Sequence, residues 1–477
     1  MSLGKQLFRS GIWVQASKLM QFGSNALVTL ILANLLPPRA FGLFGIVTLY
    51  TSLIVQFTSF GITAGIVQKK DITQLQLSSA FWINFGFFFL SALLVFSTGT
   101  LAADFYKEPE LERLVPLLSL SIILTPFYII HRVLIERKLD FQRLAMCEVA
   151  AVTGSGLVGV VLAWLGFGVY SLAWQPIAMS SIYLITYNLA VRWRPDFAFS
   201  YSEVKELVHF SIKMKIGKVT GYLGQNVDFV ILSKAFDPTL YGIYTVAYRI
   251  LFFPVRRIGR VMGEMLFPTF ARIQDDLPRI KAGVLRSVNL LSLALFPLTI
   301  IVASFSRPLV NIFLSNDWAP LIDVLYLYTI VGAIMTYERV FIFIFPAVGR
   351  PEVVIWLEGA KMVLTGIGVL AGSPFGLAGV GVGLLIARSL VLVINFQMAS
   401  KLLKITVSDV LSNMAGPAIA GLGMGMACFY IESTVKGSMD LLPLMASIGI
   451  ASISYLGVLW MTSRKDLKYY FRLAVER

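Results

Sequence analysis

The chain has 477 residues, of which 57% are hydrophobic and only 14% charged, yet its formal net charge is +14. A soluble globular chain carries about 25% charged residues, and no stretch here is polar enough to form a soluble domain. A basic balance of this size points to nucleic acid in a soluble protein; in a chain this apolar it points to loops held at the cytoplasmic face, and nucleic acid is not an expected partner. Cys147 and Cys428 lie far apart, in or beside apolar segments, with no CxxC or Cys/His cluster, which argues against a disulfide framework.

Lys5 and Arg9 precede an apolar run that continues well past the length of a signal-peptide core and lacks a small-x-small cleavage site. It is read as a retained first helix. From there the apolar runs repeat, each near the ~20 residues that cross a bilayer as a helix. The predicted spans are 11–34, 41–66, 78–101, 114–131, 144–165, 169–191, 210–233, 240–262, 287–305, 320–345, 353–371, 376–398, 411–430 and 441–461. In lipid every backbone N–H and C=O must be satisfied inside the protein, so such runs are helices. The alternating pattern of an outer-membrane barrel is absent. The fold class expected is all-α, a polytopic membrane protein of about fourteen transmembrane helices.

The loops then alternate sides. Those on the side of both termini carry 26 Lys or Arg, with Arg256, Arg257 and Arg260 counted at the mouth of their helix. The opposite loops carry six: Arg39, Lys107, Arg113, Lys234, Arg307 and Lys436. This positive-inside asymmetry places both termini in the cytoplasm and supports an even number of spans.

An offset of 200 aligns two segments without a gap. Lys18 matches Lys218, Ile31-Leu32 matches Ile231-Leu232, and Pro38 matches Pro238. Phe41-Gly42 matches Tyr241-Gly242 and Phe44 matches Tyr244; Phe167-Gly168 matches Phe375-Gly376 at an offset of 208. The predicted organisation is an N-terminal lobe (1–191), a cytoplasmic linker (192–209), a C-terminal lobe (210–398), and a last part (399–477) holding two extra helices and a basic cytoplasmic tail. Two six-helix copies that enter from the same side form a parallel, pseudo-symmetric repeat. Two such bundles rocking about a central cavity would give alternating access, which a channel or an enzyme does not need.

Several words of the sequence carry a family resemblance: LANLLPPRAFGLFGIVTLY (32–50), GIVQKKDIT (65–73), ADFYKEPEL (103–111), ERKLDFQRLA (136–145), GFGVYSLAWQ (166–175), RWRPDF (192–197), NVDFVILSKAFDPTLYGIYTVAYRI (226–250) and LFPTFARIQ (266–274). In this order and spacing they resemble the polysaccharide flippases of the multidrug/oligosaccharidyl-lipid/polysaccharide (MOP) exporter superfamily, closest to the Wzx-type colanic acid exporters. The resemblance covers about 1–275; beyond it hydropathy, GRP at 349–351 and FGLAGVGVG at 375–383 continue the match. It implies a MOP/MATE-like fold and an undecaprenyl-diphosphate-linked oligosaccharide as cargo. It also implies a bacterial inner (cytoplasmic) membrane location, with a polysaccharide polymerase and export machinery as partners.

Such a cargo brings an anionic diphosphate into a medium where each buried charge costs roughly 2.5–3.5 kcal/mol on insertion scales. Cationic partners at depth are therefore the expected substrate-binding residues: Lys18 and its repeat mate Lys218, Arg249, Arg256, Arg260 and Arg388. Guanidinium groups bind phosphate bidentately. For Lys18 and Lys218 the competing reading is snorkelling to the interface; for Arg256 and Arg260 it is cytoplasmic anchoring. Lys361 follows Glu358 by three residues and is read as neutralised by it. His131 and Arg132 are read as interfacial.

No Walker motif supplies ATP chemistry, and no cofactor is expected. Coupling to H⁺ or Na⁺ would need an intramembrane carboxylate: Asp228, Glu338 or Glu358, each of which is otherwise a structural ion-pair partner. Pro126, Pro176, Pro254, Pro297 and Pro417 fall within spans and permit kinks. The leading function is a flippase moving lipid-linked glycan from the cytoplasmic to the outer leaflet. A MATE-like drug/cation antiporter would want an acidic cavity, where this chain has Lys and Arg. A lipid II flippase shares the diphosphate problem. A membrane glycosyltransferase would need a large extramembrane domain or a DxD pair, and the sequence has neither. The acidic segment 102–112, on the exterior side, has no role in this reading.

Overall fold

The computed structural model describes residues 3–58, 63–69, 71–249, 263, 266–434 and 440–464. Among them the secondary structure is helical, with no strand. The predicted apolar segments fall mainly on helix over their described parts, with breaks inside 78–101 at Thr98 and inside 114–131 at Thr125.

The first helix, α1, is Leu3–Leu35 and turns through Pro37 into α2, Pro38–Thr58. A short α3 (Thr63–Gln68) leads to α4, Gln74–Ser97. Thr73 starts α4 as a full capping box: its hydroxyl accepts from Gln76 N, and the Gln76 side chain accepts from Thr73 N. At Thr98 the chain breaks, and α5 (Gly99–Tyr106) follows. The Thr98 hydroxyl donates to the Leu94 carbonyl at 2.6 Å, a back-bond that competes with the helix ladder.

Next come α6 (Leu111–Leu124) and α7 (Pro126–Arg137), bent against each other by 43°. Pro126 is the cause, because its ring removes a donor and crowds the preceding turn. The unit continues with α8 (Phe141–Trp164), α9 (Val169–Ala190) and the long α10 (Tyr201–Ala235). Proline again opens α11 (Pro238–Ala247), at a first-turn position that needs no N–H.

The second half holds α12 (Leu277–Ser304), α13 (Ser306–Phe313), a 3₁₀ turn (Asn316–Leu321), α14 (Ile322–Ile342) and α15 (Ile344–Ala347). It ends with α16 (Pro351–Gly372), α17 (Gly376–Leu403), α18 (Val407–Thr434) and α19 (Leu441–Thr462). Eight helical stretches are long and apolar enough to cross a membrane, or nine if the bent α6–α7 pair is one span, among the described residues. One of the eight, Pro351–Leu403, folds back on itself at 373–375.

The chain divides into two compact units, Met1–Gly242 and Ile243–Arg477. In the first, α8 packs against α1 and α9, and α6 against α4 and α9. Ile66, Leu77, Ala80, Phe81, Ile130 and Val133 form one core with Val204 and Leu207 of α10. The segment 192–200 is pinned to α4. Trp82 Nε1 donates to Asp196 O at 2.9 Å, Asp196 N to Ser78 Oγ at 3.0 Å, and Ser200 N to Ser79 Oγ at 2.9 Å. His131 Nε2 donates to Trp193 O at 3.0 Å, which ties α7 to the same segment.

In the second unit α12 is central, packing Val284, Val288, Leu291 and Leu295 against Val340, Phe341 and Ala399. The α16–α17 hairpin closes on glycine. A Cβ on Gly372 would run into the Gly379 carbonyl, and one on Gly368 into that of Gly383. Lipid offers no hydrophobic drive between helices, so close backbone approach through small residues supplies the association. Leu442 and Met461 of α19 are 79% and 83% exposed, an apolar surface suited to lipid.

Candidate functional site

Two polar clusters lie inside these apolar helices, one in each unit. In the second unit Arg388, mid-way along α17, reaches Glu338 on α14: Nη1 to Oε2 is 3.5 Å. The side chains are only 5% and 7% exposed. Asn395, two turns further along α17, donates from Nδ2 to the Glu338 carbonyl at 3.4 Å. Glu338 Oε1, Arg388 Nε, Asn395 Oδ1 and Thr365 Oγ1 are buried without a hydrogen-bond partner among the described residues. Buried polar atoms are normally satisfied, so the orphaned atoms of Glu338, Arg388 and Asn395 at one ion pair mark a site with unspent bonding capacity. Lys361 Nζ pairs with Glu358 one helical turn away on α16, as their spacing predicts.

In the first unit the cluster is more open. Arg132 on α7 pairs with Glu136 at 3.2 Å and with Glu148 on α8 at 3.4 Å. Gln21 on α1 donates from Nε2 to Glu148 Oε2 at 3.0 Å, and the hydroxyls of Ser24 and Thr153 meet at 3.1 Å a turn further on. The side chains of Arg132 and Glu148 are 43% and 21% exposed. Tyr128, Tyr183 and Tyr187 stack beside them, with ring centroids 5.3 Å apart for Tyr183 and Tyr187 and 5.4 Å for Tyr128 and Tyr183. Lys18 is half-buried on α1, three residues before Gln21, and makes no ion pair among the described residues.

Asp228 is buried in α10, two residues after a break: Asn226 has φ −124° and ψ 15°, outside the helical region. The Asn226 side chain donates to Tyr222 O at 2.7 Å, which occupies a carbonyl in the turn before the break. Broken helices at membrane depth are where transporters expose backbone to ligand. Arg249 is exposed and lies where the helix after α11 widens into a π turn at Tyr248–Arg249. Such π turns recur at functional positions.

The structure thus brings Glu338 and Arg388 together, which the sequence had assigned to different roles. It pairs Glu358 with Lys361, and it buries Asp228 in α10. The side chain of Lys218, and Arg256, Arg260 and Pro254, lie outside the described residues. The α1–α7–α8 network was missed. Its signal was present, because Glu148 is a lone acid inside the apolar run AMCEVAAV, and such a residue needs a reason.

The family model described as polysaccharide biosynthesis protein matches residues 31–323. The chain belongs to that family. It is similar to the lipopolysaccharide biosynthesis protein WzxC of Escherichia coli (strain K12), at 26% identity over 70% of this chain and 68% of that protein. It is also similar to the succinoglycan biosynthesis transport protein ExoT of Rhizobium meliloti (strain 1021), at 24% identity over 99% of this chain and 96% of that one. Its fold is that of the lipid II flippase MurJ, in an inward closed conformation, with a TM-score of 0.72 at 13% identity across 96% of this chain and 99% of that one. The protein is an all-α, multi-pass membrane protein of the polysaccharide biosynthesis family.

Proposed function

We propose that this chain is a flippase that moves undecaprenyl-diphosphate-linked oligosaccharide repeat units across a bacterial inner membrane by alternating access. Both termini are then cytoplasmic, as the positive-inside asymmetry favours. The observation that carries the reading is family membership, with relatives named for polysaccharide biosynthesis and transport matching most of the chain. The buried charges fit it. A diphosphate entering a low-dielectric path needs cations already held there, and Lys18, Arg249 and Arg388 are cations in or beside apolar helices. Arg256, Arg260 and Lys218 are assigned to the same headgroup path on sequence grounds.

Coupling is proposed to run through the Glu338–Arg388 pair, with Asp228 and Glu358 as the other carboxylates able to take H⁺ or Na⁺. An ion pair this desolvated is costly to break unless a proton or a competing ion neutralises one partner. A diphosphate that engaged Arg388 would release Glu338, and a cation taken up by Glu338 would release Arg388 for the headgroup. A polysaccharide polymerase would take the flipped product on the outer side.

The test is surface glycan in cells lacking their own flippase, with wild type compared with Lys18→Ala, Arg249→Ala and Glu338→Gln at matched membrane levels. Restoration by wild type but not by the variants supports the reading. Efflux of organic cations with no restored glycan would replace it with an antiporter.

A further inference from the structure

The repeated turn of this chain does more than report a duplication. Pro38-x-x-x-Gly42 opens α2 and Pro238-x-x-x-Gly242 opens α11, and within the first compact unit the two copies touch each other. A Cβ on Gly42 would run into the Pro238 carbonyl. Reciprocally, a Cβ on Gly242 would run into the Pro38 carbonyl and come within 2.8 Å of Gly42 N. The contact is backbone to backbone at both ends, so only glycine is tolerated at each. The atoms nearest each glycine belong to the other copy, so each copy supplies the half that the other needs.

The acidic segment left without a role gathers around the same place. Arg39, next to Pro38, pairs with Glu108 at 2.6 Å and Glu110 at 3.5 Å. Lys234 at the end of α10 donates to the Phe105 carbonyl and lies 4.1 Å from the centroid of the Phe105 ring. The Tyr106 and Ser233 hydroxyls meet at 3.4 Å. Ser233 is only 3% exposed. Beside these residues lies a small polar cleft of about 200 Å³, lined by Tyr106, Glu108, Ser233, Lys234 and Asp237 among others. Four polar or cationic fastenings therefore surround one glycine crossing.

We infer that this assembly is the outer seal of the transport path: the two PxxxG turns close against each other, and the α5 segment latches the joint through Arg39, Lys234 and Tyr106. The inference rests on the orientation proposed above, which puts these turns on the non-cytoplasmic side. Exposed charge pairs and a cation–π contact, each weak singly, release cheaply. Opening the seal uncovers Ser233 to the outer solvent; closing it buries Ser233 again.

The test is read without any cargo. In a chain carrying Cys147→Ala and Cys428→Ala, Ser233→Cys is treated in cells with a membrane-impermeant maleimide. Modification is slow in this parent. It rises roughly tenfold with Lys234→Met, the factor that about 1.4 kcal/mol of closure corresponds to. It rises further with Gly42→Val, whose side chain holds the turns apart. Lys234 is exposed, so its variant keeps the protein folded if Gly42→Val does not. A second arm joins Tyr106→Cys to Ser233→Cys with a short reducible crosslinker, after which glycan export stops and returns on reduction. Modification unchanged by Lys234→Met at wild-type membrane levels overturns the seal. So does modification from the cytoplasmic side alone, or export that continues while crosslinked. A protein that exports no glycan but shows the labelling pattern keeps the seal and loses the flippase.

Discussion

The two polar clusters use the same chemistry, an arginine held by carboxylate between apolar helices, at very different exposures. Arg388 and Glu338 are 5% and 7% exposed, whereas Arg132 and Glu148 are 43% and 21% exposed. The first pair has left water, so its attraction is large, and so is the penalty of stranding either partner. The second network is partly exposed and has further partners in Gln21 and Glu136, so losing one bond leaves other polar contacts in place. On the reading proposed above, a sealed pair would act as a switch that changes only when something neutralises it. On the same reading, an open network would exchange partners as cargo passes.

Arg388→Ala should break this contrast most sharply. It strands Glu338 in the core and should cost about 3–5 kcal/mol, read as a large fall in the thermal unfolding midpoint of purified protein in detergent. Glu338→Gln with Arg388→Met removes both charges; it should recover most of that stability and still fail to export glycan. An Arg388→Ala protein that melts like wild type would show that the pair is not sealed.

Gly368→Val tests whether the second unit is held as firmly by backbone approach as by charge. Its side chain meets the Gly383 carbonyl, and overpacking of this kind costs about 1–3 kcal/mol. The same melt should show an intermediate drop. No drop would mean that the α16–α17 hairpin has slack.

The smallest stability effect should come from Arg132→Ala and Glu148→Gln, each costing about 1 kcal/mol or less, as partly exposed pairs do. Their effect on export should be out of proportion to that. A double-mutant cycle on Arg132 and Glu148 should give a coupling under about 1 kcal/mol. A coupling several times larger would make the two clusters alike and remove the contrast.

Much of the fold was legible because lipid imposes one simple rule: apolar runs of bilayer length become helices. Where the structure departs, a local reason is visible. Helix α10 begins at Tyr201, inside the 192–209 stretch that the sequence pattern assigns to the linker. YSEVKELVHF is amphipathic: Val204 and Leu207, one turn apart, are buried, and Val208 packs partly buried beside them. Hydropathy averages that pattern away. The bend at Pro126 was readable from the residue itself. The breaks at Thr98 and Asn226 were harder to read: Gly99 and Gly224 lie beside them, but glycines are common within these apolar runs, and it is side-chain hydrogen bonds that sustain the breaks.

The site was legible residue by residue and illegible as pairs. Arg388 and Glu338 both stand out as intramembrane charges, but only the crossing of α14 and α17 joins them. Glu148 is an intramembrane acid like Asp228, Glu338 and Glu358, but its partners Gln21 and Arg132 lie on other helices, and only the packing of α1, α7 and α8 joins them. The repeated PxxxG turn was read as a mark of duplication. Its reciprocal contact emerges only when both copies are seen in space.

The most direct test of the account is a reconstituted one. Purified protein in vesicles is given a polyprenyl-diphosphate-linked oligosaccharide in one leaflet, and its appearance in the other is followed with wild type and with Glu338→Gln/Arg388→Met. Wild type should move the glycolipid, and the charge-free variant, folded to the same melting temperature, should not. Equal movement by both would contradict the claim that a sealed ion pair in the second unit drives transport.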